Sequence, residues 1–329
     1  MRKIIDQHML DLLQGLYQHL DENLSTFVGD AQAVCAVFML LYFAIKAYGM
    51  MSGDRKLEIM PLLRPFALSL VVIFWSDFIT LINVLPGVVT AKSSTLFDQQ
   101  VALVDAVMVQ RYQLLQQVGT ELIERSAEIE ELQAGKQESE TVAVLGIDLS
   151  PLMDTMKGYY IIVMSKIKFW AVNLIENLMV ALFQAAVYGV FFLQVVFSGI
   201  LISLGPFAFA FSILPAFQDA YVQWIARYLS VSFYAALAYL VLSLAFIILQ
   251  YALLQEVDVL TYITEQGNEA AFLAYVTATD TTSYFTVALL MGGLSMLAIP
   301  IISTWIITTS GVGSALNVAT RTLTGVSVG

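Results

Sequence analysis

An all-α, polytopic membrane protein, with about five transmembrane helices, a broken Gly-Pro elbow and a long soluble helical loop, is the fold that this sequence predicts. Three observations lead there. Of 329 residues, 59% are hydrophobic and 12% charged, against about 25% charged in soluble domains. Apolar runs recur at lengths that cross a bilayer, since about 20 helical residues rising 1.5 Å each cover a hydrocarbon core of about 30 Å. The stretch SLGPFAFAFSILPAFQDAYVQWIARY, residues 203–228, is as apolar as a membrane helix, yet it holds two prolines, a glycine, an aspartate and an arginine.

Residues 1–30 form the first segment. Ile5, Met9, Leu12, Leu13, Leu16, Tyr17, Leu20, Leu24 and Phe27 recur at spacings of three and four, with Asp11, Gln14, Gln18 and Asp21 off the stripe, so residues 4–27 read as an amphipathic helix. It is too polar to span, and is expected to lie on the membrane surface or to pack on a neighbouring subunit. Arg2 and Lys3 are followed by Asp6, His8 and Asp11 where a signal peptide would carry its apolar core, so the start is expected to remain in the mature protein.

Residues 31–90 hold two spans. The first is 31–51, with Lys46 near its end, where the long stem reaches the interface; the second is 65–89. The short loop between them carries Arg55, Lys56 and Arg64, which places it in the cytoplasm and the N-terminal helix outside.

Residues 91–157 are the one large soluble stretch, expected in the periplasm. A seven-residue repeat runs through it, with Val101, Met108, Leu115, Leu122 and Ile129 in one register and Val104, Arg111, Val118, Arg125 and Leu132 in the other. The pattern predicts a long helix whose seam packs on another helix in an oligomer, the two arginines lowering stability while fixing register. A seam lying on its own protein gives the same pattern. Acids dominate from Glu124 to Glu140, and AGKQESE reads as a loop tip.

Residues 158–310 hold three further spans. Phe169 to Ile202 is mostly apolar for 34 residues, about 51 Å as one helix. The third span is therefore expected to end near Ser198 and Gly199, leaving 200–216 as an elbow broken at Gly205-Pro206 and capped by Pro215. Proline removes an amide donor and clashes with the preceding turn, which hydrocarbon tolerates only where protein or water satisfies the freed carbonyls. A fourth span runs from Val222 to Leu254, with Trp224 and Arg227 at the interface. The loop from Gln255 to Ser283 carries Glu256, Asp258, Glu265, Glu269 and Asp280 but no lysine or arginine, so it lies outside. The last span is Tyr284 to Ser310, and the tail 311–329, whose one charge is Arg321, is cytoplasmic. Lys166 and Lys168 fall outside in this arrangement, beside a long loop whose charges carry little weight.

Neither GxxxxGK[ST] nor HExxH occurs, so nucleotide hydrolysis and zinc proteolysis find no motif here, and the expectation is a non-enzyme without a cofactor. His8 and His19 lack further His or Cys nearby and predict no metal site. Cys35 has no partner for an intramolecular disulfide. The net charge of −11 argues against a basic nucleic-acid surface. Asp77, in the second span, and Glu176, in the third, are intramembrane ionisable groups, which are costly; they mark an ion or proton path or an intersubunit polar contact, or else they face protein or interfacial water and satisfy neighbours such as Asn83, Asn173 and Gln184. Ala181, Ala185, Ala186 and Gly189 suit close helix packing.

LGPFAFAFSILPAF at 204–217 followed by YVQWIARYL at 221–229 resembles the central signature of the polytopic inner-membrane subunit of type IV secretion systems, the TrbL-like superfamily. MPLLRPFAL at 60–68, NLMVALFQAA at 177–186 and IPIISTWIITTSG at 299–311 resemble, more narrowly, the TraJ proteins of Bacteroidetes conjugative elements. The resemblance implies an inner-membrane structural or channel subunit. It would form a ring at the base of the stalk or pilus, and its partners would be other secretion subunits, stalk or pilin proteins, ATPases and membrane lipids, with no sequence-specific nucleic-acid binding. On the matching positions Gly205, Pro206, Phe217 and Trp224 would fix the elbow. The competing expectation is a secondary transporter working through its intramembrane carboxylates.

Overall fold

The computed structural model describes residues 4–19, 26–52, 60–136, 150–265 and 283–306, and every regular element among them is helical. In chain order these are α1 (Gln7–Gln18), α2 (Thr26–Met51), α3 (Met60–Ile73), α4 (Trp75–Lys136) and α5 (Ser150–Phe211). After a 3₁₀ turn at Pro215–Phe217 come α6 (Ala220–Ser232), α7 (Tyr234–Glu265), α8 (Tyr284–Leu297) and α9 (Ile299–Ile306). The stretches Phe27–Met51, Trp75–Glu121, Lys166–Phe211 and Pro215–Thr264 are each long and apolar enough to cross a membrane, and the pair α8–α9, bent by 47°, is so too when taken as one broken span. The bend falls at Pro300, in the first turn of α9, where proline cannot continue the hydrogen-bond ladder of α8.

Local chemistry sets the helix starts. The Asp6 carboxylate accepts a hydrogen bond from the His8 amide at 3.0 Å and so caps α1. Its buried side is Leu10 and Leu13, while Met9, Leu12 and Leu16 of the predicted stripe are exposed and available to lipid. The α2 helix turns Leu40 and Ile45 outward in the same way.

Several boundaries depart from the sequence expectation. The predicted second span divides at Phe74, and its second half does not end near residue 89 but continues as α4 to Lys136, so a membrane span and the heptad helix are one helix. The loop expected over 91–157 is thus helical to Lys136 and again from Ser150; the tip at 137–149 lies outside the described residues. The third span does not stop at Ser198, because α5 runs on to Phe211. The fourth span is interrupted at Phe233, and α7 extends to Glu265, which brings Glu256 onto a helix instead of a loop.

The chain divides into two compact units. One comprises residues 1–4, 97–184 and 242–293; the other comprises 5–96, 185–241 and 294–329. In the first, Phe246 meets Phe97 edge-on at 5.2 Å and Phe183 at 6.3 Å. Gly292 gives these rings room, since a Cβ there would lie 3.0 Å from Phe183 and 3.2 Å from Ala245. In the second, Trp75, Phe209, Trp224 and Tyr228 build a buried aromatic cluster with Val72 and Ile202 around it.

Candidate functional site

The elbow of the second unit is built around a glycine. A Cβ placed on Gly205 would fall 2.4 Å from two ring carbons of Trp75 and 2.7 Å from Trp224, so only glycine lets α5 approach the two indoles. Those indoles lie 5.0 Å apart, and Trp224 stacks on Tyr228 at 5.0 Å with a 7° tilt. The Trp224 indole donates to the Leu201 carbonyl at 2.9 Å, anchoring α6 to α5. Trp75 Nε1, by contrast, is buried without a hydrogen-bond partner, so its ring is held by shape alone.

Gly205 and Pro206 therefore lie inside α5 and do not break it. A proline ring strikes the Cβ of the preceding residue, and Gly205 has none, which removes one of the clashes at Pro206; Pro65 and Pro86 likewise lie inside helices, α3 and α4. The break comes at Pro215. This proline pushes Leu214 into the extended conformation at φ −77°, ψ 134°, and α5 closes through the tighter bonds Ile213 N–H to Ala210 O (3.2 Å) and Leu214 N–H to Phe211 O (3.0 Å). Pro215, Phe217 and Arg227 are exposed, and Phe217 keeps a ring contact with Phe211 at 6.2 Å. Ser212, which carries no signal in the sequence, and Arg64, read there only as a loop charge, hold the turn. The Ser212 hydroxyl donates to Ala208 O at 2.7 Å and accepts from the Tyr221 amide at 2.9 Å. Arg64 of α3 donates to the Gln218 carbonyl and to its side-chain oxygen and lies 5.7 Å from the Tyr221 ring.

Asp77 is exposed and sits in the first turn of α4, not in the middle of a span. The division at Phe74 restarts the helix at Trp75, and a carboxylate in a first turn complements the helix dipole.

Glu176 belongs to an ion cluster in the first unit. Arg111 of α4, 8% exposed, donates from Nη2 to Glu176 Oε1 at 2.5 Å and from Nε to Glu256 Oε2 at 2.7 Å. Its guanidinium lies 5.1 Å from the Phe285 ring, and the Phe285 amide donates to Glu256 Oε1 at 3.1 Å. One cation thus joins α4, α5, α7 and the start of α8. Its two heptad neighbours, Val104 and Val118, are fully buried within the same chain, while Val101, Met108 and Leu115 are half-buried. The side chains of Leu122, Ile129 and Leu132 lie outside the described residues. Among the described residues no cluster of His, Cys, Asp and Glu is placed to hold a metal ion.

Within the second unit α1, α4, α5, α6 and α7 line a half-open pocket of about 540 Å³, inside the roughly 300–1,000 Å³ of ligand pockets. Part of its lining is polar. The Tyr17 hydroxyl lies 3.3 Å from Asn83 Oδ1 and 3.4 Å from Ser232 Oγ, and Asn83 donates to the Tyr228 hydroxyl at 2.9 Å.

Among protein families, one described as homologues of TraJ from Bacteroides conjugative transposon matches residues 6–328. No curated protein and no solved structure matches.

Proposed function

The chain belongs to the homologues of TraJ from Bacteroides conjugative transposon, and from that premise we propose that it is an inner-membrane structural or channel subunit of a type IV secretion machine, supporting transfer of DNA or protein. The family gives the conjugative role. The observation that carries the structural reading is helix length: α4 and α5 have 62 residues each, about 93 Å against a hydrocarbon core of about 30 Å. Helices of this kind suit a part that joins the membrane to structures outside it.

On this reading the subunit performs no chemistry, and partner ATPases supply the energy. It forms a closed ring with copies of itself at the base of the stalk or pilus and meets other secretion subunits there. The transporter reading loses its support at Glu176, because that carboxylate and Glu256 are both taken by Arg111. The test has two parts. Deleting the gene from a donor strain is expected to abolish transfer of the element, with recovery on complementation; undiminished transfer would overturn the role. Native mass spectrometry of the full chain from mild detergent is expected to find a closed oligomer, whereas a monomer in detergent and in native nanodiscs alike would overturn the ring.

A further inference from the structure

The cavity of the second unit has a chemical bias that the transfer role does not require. Its eighteen lining residues include no Asp, Glu, Lys, Arg or His. Amides and hydroxyls from Gln14, Tyr17, Asn83, Gln194 and Ser232 line it together with Leu13, Ile79, Val84, Phe191 and Ile202. Its walls on α4, α5 and α6–α7 fall within the stretches apolar enough to span the membrane, and α1, an amphipathic helix, completes it.

A pocket of this size admits water, but over half its lining is hydrocarbon, where water has no hydrogen-bond partner. An amphiphile answers both kinds of lining. The head must be neutral, because a phosphate or an ammonium would leave water for a site with no countercharge among the described residues, at a cost far above that of a hydroxyl.

We propose that this cavity is a binding site for a membrane lipid whose head is uncharged and bears hydroxyl groups, as in a diacylglycerol or a glycosyl diacylglycerol. The hydroxyls replace the long contacts of Tyr17 with Asn83 and Ser232, and the upper part of an acyl chain lies along Val84, Phe191 and Ile202. This inference rests on the membrane placement of the helices and not on the transfer role.

Gly87 supplies the test, because it lines the cavity and a Cβ there would meet nothing within 4 Å. Gly87→Leu places bulk in the pocket from a Cβ that meets no neighbour, and Ala91→Phe, one turn on along α4, does so independently. The full chain is placed in phosphatidylcholine nanodiscs doped with a photoactivatable diacylglycerol, and labelled peptides are mapped by mass spectrometry. Labelling is expected on α1 and on residues 79–94, reduced about tenfold or more in either filled variant. Unlabelled diacylglycerol is expected to compete, and phosphatidylglycerol is not. A control change at Leu40, exposed on α2, leaves the pattern as it was. Equal labelling of the filled variants with unchanged melting temperature would overturn the site. Equal competition by phosphatidylglycerol would overturn the neutral head, and labelling no stronger than that around Leu40 would reduce the cavity to ordinary lipid contact.

Discussion

At Gly205 a single hydrogen in place of a methyl group decides whether two tryptophans can close on α5. Gly205→Ala is expected to destabilise the protein by about 1–3 kcal/mol, the usual range for overpacking, read as a lower melting temperature in detergent. Leucine there is expected to prevent assembly of the second unit. Arg111 carries a different kind of stake. Arg111→Met leaves two partly buried carboxylates without their cation, an expected loss of about 3–5 kcal/mol. Adding Glu176→Gln and Glu256→Gln is expected to recover most of it, and a triple variant no better than the single would show that the pairs do not couple. The sequence marked both positions as unusual, and only the break expected at Gly205 departs from the structure. Glycine before proline reads as a break, because nothing in a one-dimensional pattern reveals an indole from a segment 130 residues away. Arg111 is legible as a polar residue in an apolar seam, but Glu256 was hidden in an acidic run that looks like an outside loop.

Helices show where proline acts and where it does not. Pro206→Ala restores an amide donor inside α5 and is expected to change stability by less than about 1 kcal/mol. Ser212→Ala removes two bonds at the turn that ends the same helix and is expected to cost about 1–3 kcal/mol, because the Tyr221 amide is left without its acceptor. Thermal unfolding of the two variants side by side checks the pair; a larger loss at Pro206 would show that the turn is set by the wrong proline. Apolar periodicity was enough to place the helices and the amphipathic character of α1. Their ends were less legible, since hydrophobic runs carry no stop signal when a helix leaves the bilayer and keeps packing on its own chain, as α4 and α7 do.

For the whole molecule, the positive charge at Arg55, Lys56 and Arg64 and its absence from residues 255–283 predict a periplasmic N-terminus and a cytoplasmic C-terminus. A C-terminal fluorescent fusion is expected to glow in cells, and a phosphatase fused at the N-terminus is expected to be active; the reverse pattern would invert the topology. The count of about five spans could be read from composition and length alone. The partition of the chain into two units could not, because each unit draws on three stretches far apart in sequence.

The cation joining α4, α5 and α7 also sets an order of events during biosynthesis. Arg111 precedes Glu176 by 65 positions and Glu256 by 145. At about 5–20 residues per second, the ribosome delivers the second carboxylate roughly 7–30 s after the arginine. Until then the nascent chain holds a guanidinium without its second carboxylate. A chain stalled between Glu176 and Glu256 is therefore expected to be cleared by membrane proteases faster than the finished protein, as pulse-chase labelling would show.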